Sequence, residues 1–401
     1  MSSYQYFDRL ERTLKQHEEW RLGECLNLIP SENRTSRLSR SMYLRDFGNR
    51  YTAPDKFYRG TRYLDEATTL TQEVARKVFN ARYADVRPLS GHVADEAVLM
   101  ALAEPGDKVL SVSPANGGYP GVSHEGLGPI LGLKNVYFPY DDGLVNIEPR
   151  GAKSLIKQES PSVAFFGASY IVFPHPTREL SDVHDGTHWV YDASHVLGLI
   201  AGGEFQDPLR EGCSLMVGST HKSFPGPQGG IILSNREDVF EKVASKIFPG
   251  IVDNYHLDRV AALAVSLLEM LEFGKAYAQS MVKNAQALAK SLADRGVSVR
   301  GAGIGYTKSH QVLLDYDERV LLSLADRLER SNIIVDIGGR LGVPEVTRFG
   351  FGVSEMDKVA ELVSLVVLGK KPADFVKKAV HSLVKDYTEQ KFVLKAAPSP
   401  F

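Results

Sequence analysis

The chain has 401 residues, 43% of them hydrophobic and 24% charged, with a formal net charge of -2. That balance supplies a large apolar core and, at about 150 residues per domain, room for two or three domains. It offers no basic face for nucleic acid. Two cysteines, Cys25 and Cys213, make no disulfide framework and suit a reducing, cytoplasmic setting.

The charged start MSSYQYFDRLERTLKQHEEW lacks the apolar run of a secretory signal. No stretch reaches the roughly 18 apolar residues of a membrane span. Residues 1–22 read as an amphipathic helix with Leu10, Leu14 and Trp20 among charges, an arm suited to packing on another subunit. Residues 66–80 repeat apolar side chains at helical spacing. From about 89 to 235, short apolar runs recur: KVLSVS (108–113), NVYFPY (135–140), SVAFFGAS (162–169), HWVYDAS (188–194), SLMVGS (214–219) and GIILS (230–234). Near-continuous apolar strands predict a mainly parallel sheet covered by helices, an α/β fold. A long helix is predicted over 256–295, stopped by Gly296. A smaller α/β unit follows, with strands expected at 297–300, 311–316, 332–337 and 346–351 and helices at 318–331, 355–369 and 373–387. The tail KAAPSPF reads as frayed. The expected division is an arm over 1–25, a large domain over 26–275 and a small domain over 276–401.

Lys222 follows an apolar strand and opens into a Gly- and Pro-rich turn, Gly218-Ser-Thr-His-Lys-Ser-Phe-Pro-Gly-Pro-Gln-Gly-Gly230. A lysine held there beside His221 is a candidate nucleophilic amine; read alone, it is equally a loop lysine. Asp192 ends another such strand in Tyr191-Asp-Ala-Ser-His195, and read alone it is a helix cap. Together the two match what pyridoxal phosphate requires: a lysine for the Schiff base and a carboxylate for the pyridinium nitrogen. Ligands of such sheets bind at the carboxyl ends of the strands. Ser90, Gly91 and His92 open a predicted helix, where backbone N–H groups favour a phosphate. Tyr119, in Asn116-Gly-Gly-Tyr-Pro120, is placed to stack on a ring or to pack in a turn. Arg340, in Gly338-Gly-Arg-Leu-Gly342, is a fork for a carboxylate or half of a surface ion pair.

As a set, LIPSEN (28–33), SGHVAD (90–95), EPGDKVLS (104–111), DASHVLGLIAGG (192–203), STHKSFPGPQGG (219–230), FPG (248–250) and GGRLGVPEVTRFGF (338–351) resemble the serine hydroxymethyltransferases, pyridoxal-phosphate enzymes of fold type I. The resemblance spans about residues 24 to 352. It implies a large domain with a seven-stranded, mainly parallel sheet, a smaller C-terminal α/β domain, and a homodimer with shared sites. It implies Lys222 as the Schiff-base lysine, preceded by His221, with Asp192 on the ring nitrogen and His195 on the ring-oxygen side. Tyr119 falls where the family stacks a histidine. Ser90 and Gly91 would bind the phosphate, with His92 in place of a serine, and Ser169 would lie near the cofactor. Arg340 and Ser31 would hold the substrate carboxylate, with Tyr51 and Tyr58 as substrate-side tyrosines from across the interface.

The chain departs from the family in four places. Where the family has YAEGYPGxRYYGG, this chain has Tyr51-Thr-Ala-Pro-Asp-Lys-Phe-Tyr-Arg-Gly60, with Ala53 at the position of the catalytic glutamate, Asp55 as the nearby carboxylate, and Phe57 and Tyr58 for the paired tyrosines. The Gly-rich loop after FPG is Ile251-Val-Asp-Asn-Tyr255. The folate-side loop before Arg340 is shortened to about two residues, and the arginine of GPRGG is Gln228. The reading is an enzyme of amino-acid and one-carbon metabolism that interconverts serine and glycine by Cα–Cβ cleavage, using tetrahydrofolate or a related pterin. His124, His195, His221 and Asp55 are its candidate bases. A pterin-independent threonine-type aldolase or transaldolase, and a non-catalytic cofactor-binding partner, are the alternatives.

Overall fold

The computed structural model describes residues 2–53, 55–184 and 186–395, so the expectation for the tail from 396 onward lies outside the described residues. Helix α1 (Ser3–Gly23) starts at a capping box: the Ser2 Oγ accepts from Gln5 N and the Gln5 side chain accepts from Ser2 N. Helix α2 (Arg62–Phe79) ends where Asn80 turns left-handed at φ 48°. Helix α3 (Gly91–Leu102) starts at Ser90, whose Oγ accepts from Val93 N at 3.1 Å. Helix α4 (Leu257–Asp294) is 38 residues long.

Contacts divide the chain into two compact units, one of residues 31–282 with 392–401, the other of 1–30 with 283–391. The first is built on a seven-stranded sheet. Its strands are β1 (Tyr83–Asp85), β2 (Lys108–Ser111), β3 (Lys134–Tyr137), β4 (Val163–Phe166), β5 (His188–Asp192), β6 (Leu215–Ser219) and β7 (Gly230–Ser234). In space the order is β1-β7-β6-β5-β4-β2-β3. The pairs among β2 to β6 are parallel, while β7 runs antiparallel to both β6 and β1. Central strands β4 and β6 are buried along their whole length, as strands covered on both faces must be. Val98 and Leu99 of α3, with Phe165, Phe166 and Tyr191, belong to this core.

In the second unit, Leu26–Asn27 pairs in parallel with Ile333–Ile334, and Gln311–Leu313 pairs antiparallel with Arg340–Gly342. Trp20 Nε1 donates to the Asn332 Oδ1 at 3.1 Å, which ties the end of α1 into this unit. Helices 318–330, 353–367 and 373–384 form near their expected places. Two expectations are corrected. The run 346–351 is no strand: Pro344–Arg348 is a short helix, with Pro344 at a first-turn position where its missing N–H loses nothing. The run 297–300 gives only one bridge, Val299 to Leu314.

Candidate active site

The carboxyl ends of β2, β4, β5 and β6 face one edge of the sheet, and two antiparallel steps through β7 bring β1 to the same edge. The loops that leave these ends border about 290 Å³ of empty space that is partly open to solvent. Asp192, the last residue of β5, lines it together with Lys222, three residues beyond the end of β6. The β5–β6 register that pairs Asp192 with Val217 sets those two loops side by side. Tyr119 enters from the loop after β2, Ser169 from the loop after β4, His195 from the loop after β5, and His92 from the first turn of α3.

Backbone hydrogen bonds explain why the loops hold these positions. The Asp192 Oδ1 accepts from Ser194 N at 2.9 Å, which orients the carboxylate. The Ser194 Oγ accepts from Ser219 N at 2.9 Å, linking the β5 loop to the end of β6. Asn33 Nδ2 donates to the Lys222 carbonyl at 2.8 Å. Ser169 N donates to the Gly117 carbonyl at 2.8 Å; Gly117 has φ 81°, and a Cβ there would meet the Tyr170 side chain at 2.4 Å. The Tyr119 hydroxyl lies 3.1 Å from His92 Nδ1, with the two rings edge to face.

Burial sets the electrostatics of the pocket. The Tyr119 hydroxyl is pushed up to about 12, first by burial and then by the negative charge of the neighbouring Asp95–Asp192 carboxyl pair. His221 is pushed down to about 4 by burial and by the Lys222 ammonium, so its imidazole is neutral; its Nδ1 has no partner among the described residues.

Ser90 and Gly91 sit at the N-terminus of α3, immediately beside this pocket in the chain. A Cβ on Gly91 would lie 2.5 Å from Ser219 Oγ and 2.9 Å from Ser194 Oγ, so only glycine lets the helix end approach the β5 and β6 loops this closely. Tyr51 and Tyr58 do not line the pocket; they are exposed, with ring centroids 5.5 Å apart. Ser31 is half-buried and likewise off the lining. In the other unit, Arg340 pairs with Asp336 at 2.9 Å, both largely shielded from solvent. Of the candidate bases, His195 lines the pocket at 5% exposure. His124 is exposed and bonded to the Tyr137 hydroxyl, and the exposed Asp55 accepts from Phe57 N at 3.0 Å. Sequence reasoning missed Asp95, Ser194 and Ser219 on the lining. Asp95 follows His92 by three residues, which puts the two on one helical face; that spacing was the available signal.

The residues present fit pyridoxal phosphate. An amine and an oriented carboxylate share one pocket, a helix N-terminus supplies donors for an anion, and the buried Asp95 Oδ1 lacks a partner among the described residues. A sheet of this order with this pocket at its carboxyl edge defines a pyridoxal-phosphate enzyme of fold type I. The solved structure of an L-threonine transaldolase from Pseudomonas fluorescens, in its internal aldimine state, superposes with a TM-score of 0.91 at 25% identity, covering 98% of this chain and 94% of that one. The family model for serine hydroxymethyltransferase matches residues 6–363, and the chain belongs to that family. A serine hydroxymethyltransferase from Methanopyrus kandleri is 42% identical over 95% of this chain and 94% of its own length. Those from Saccharolobus islandicus and Pyrococcus furiosus are 41% and 39% identical, each over at least 95% of both chains.

Proposed function

We propose that this enzyme interconverts L-serine and glycine by cleaving the Cα–Cβ bond, passing the one-carbon unit to a reduced pterin. The observation that carries the reading is the meeting of Lys222 and Asp192 in one pocket, in a chain of this family. Pyridoxal phosphate, when bound, supplies the electron sink for the carbanion left at Cα. The chain's own groups do the rest. The Lys222 amine would hold the cofactor covalently until the substrate amine takes its place. Asp192 would keep a proton on the ring nitrogen and Tyr119 would lie against the ring, while Ser169 borders the same cavity. Ser90, Gly91 and His92 take the phosphate at the start of α3. Arg340 and Ser31 grip the substrate carboxylate and so choose which Cα bond breaks, an orientation effect. His195 takes the proton of the substrate β-hydroxyl.

Tyr51, Tyr58 and helix α1 are proposed to act across a homodimer. The described residues of α1 bury none of its side chains, and Tyr4, Phe7, Leu10 and Leu14 are about half exposed or more. A second copy of the chain covering them would be an isologous contact. Among the described residues no helix is long and apolar enough to cross a membrane. Both cysteines are free and buried, which suits the cytoplasm.

The test is glycine release by purified, cofactor-loaded enzyme from L-serine, L-threonine and L-allo-threonine, with and without tetrahydrofolate. Release from serine that requires the pterin is the expected result. Release from threonine without pterin, and none from serine, would overturn it in favour of an aldolase or transaldolase, the reaction class of the Pseudomonas fluorescens enzyme.

A further inference from the structure

Asp95 has no role in the chemistry described so far. It is the fifth residue of α3, is 1% exposed, and lines the pocket with Asp192, Lys222 and Tyr119. Its Oδ1 is buried and has no hydrogen-bond partner among the described residues. An ionised carboxylate in that position would be desolvated and set beside a second carboxylate, and both effects favour the neutral acid. The charged groups around it act in opposite senses: burial raises its proton affinity most, the Asp192 carboxylate adds to this, and the Lys222 ammonium opposes it. The pocket's other titratable groups are His92 on the same helix, Tyr119, whose hydroxyl is engaged with His92, and His195. Asp192 already takes Ser194 N on its Oδ1 and still has acceptor capacity, as any carboxylate with two oxygens does.

We infer that Asp95 is a positioning residue: it stays protonated and donates its hydrogen to Asp192, so that the two carboxyls together present one negative charge to the ring nitrogen of the cofactor. Asp192 is then held from two sides, by the Ser194 amide and by the Asp95 acid, and its charge is damped by a neutral donor. Two carboxyls at one site share a proton and titrate as a pair rather than singly. This inference rests on the cofactor reading of the site, and its test separates the two.

The cofactor-free protein is examined first by infrared difference spectroscopy of wild type against Asp95→Asn at neutral pH. A protonated-carboxyl C=O band present in wild type and lost in the variant supports the inference; its absence overturns it, whether or not cofactor binds. The loaded protein is then titrated by the pH dependence of the cofactor's visible absorbance. Asp95→Asn keeps a neutral donor of the same shape, so its midpoint stays within about 0.3 pH units of wild type. Asp95→Ala loses the hydrogen bond to a charged group, and its midpoint moves by about one unit, a tenfold change in proton affinity. An Asn midpoint that falls as far as the Ala one would mean that Asp95 carries a charge, and would overturn the inference. An Ala midpoint that does not move would overturn it too. A lysine that binds no cofactor in wild type would instead sink the reading of the site, leaving the infrared band to decide the state of Asp95. Far-UV circular dichroism of each variant confirms that the fold is kept.

Discussion

Lys222 is held by its backbone as well as by its chemistry. Its carbonyl is fixed by Asn33 Nδ2, which also lies 2.9 Å from the Tyr277 hydroxyl, so the amine projects from a pinned loop. Lys222→Ala is expected to abolish the visible absorbance of the covalently held cofactor and to lower kcat by about three orders of magnitude or more. Asp192→Asn keeps the shape but not the charge; kcat for serine cleavage should fall by about a hundredfold or more, with a smaller change in KM, because the charge matters most when negative charge develops on the ring. Steady-state kinetics on both variants checks this. Lys222 and Asp192 were legible in the sequence because the chemistry demands those residue types and each stands at the end of an apolar run. Asp95 was not, since one acid in a helix reads as a solvated position until the fold shows both faces of that helix covered. Tyr51, Tyr58 and Ser31 were singled out by family resemblance alone, and nothing in their local pattern says what they face.

Between β4 and β6 lies a buried polar cluster that serves the fold rather than the pocket. Gln206 Nε2 donates to the His175 carbonyl, to Thr177 Oγ1 and to Glu211 Oε2, while its Oε1 accepts from His175 N and from the Tyr191 hydroxyl. The His175 ring lies over Phe166, with Nδ1 2.7 Å from the Asn146 Oδ1 and Nε2 unpartnered among the described residues. Burial pushes this imidazole from 6.5 down to about 4. The folded value lies below the unfolded one, so the stabilisation is complete above pH 6.5 and is lost as pH falls towards 4. By pH 5 the loss is about 2 kcal/mol. Urea midpoints should therefore drop between pH 7.5 and 5, and His175→Phe should flatten that slope while lowering stability at pH 7.5.

At the carboxyl edge of the sheet, beside the start of α3, Gly230 N donates to the Pro88 carbonyl at 2.9 Å, and a Cβ on Gly230 would lie 2.2 Å from the Ser90 carbonyl oxygen. Gly230→Ala should cost about 1–3 kcal/mol of stability through that clash and weaken cofactor binding by displacing the start of α3; thermal unfolding and cofactor titration measure the two effects. Six of the seven sheet strands stood out as apolar runs, but β1, only three residues long, is too short to show a period. The run at 346–351 misled because a short apolar stretch fits a buried helix as well as a strand, and Pro344 is a start signal only once the helix is known.

For the whole molecule, the long helix α4 and the alternation of strands with helices made the α/β class readable, because period and length carry that information. Assembly leaves a fainter mark. Helix α1 shows its apolar side chains to solvent in a single chain, whereas helices in proteins draw most of their stability from packing an amphipathic face on a neighbour. Light scattering should return about twice the chain mass of 44.2 kDa. The double change Leu10→Asp and Leu14→Asp should weaken the dimer and lower activity in step with dilution. A variant that stays dimeric at every concentration would remove α1 from the interface.

The place of β7 also sets an order of events at the ribosome. Residues 83–85 of β1 can pair only with residues 232–234 of β7, almost 150 positions later in the chain. At about 5–20 residues per second, the first strand leaves the exit tunnel and waits about 7–30 s for its neighbour. Ser90 and Gly91 follow β1 directly and are braced by Gly230, the first residue of β7. The end of the cavity at Ser90 and Gly91, proposed to take the phosphate, is thus completed only after the lysine has emerged. A cofactor that needs this end of the cavity would then meet a complete site only once β7 is in place, too late to steady the sheet while it grows.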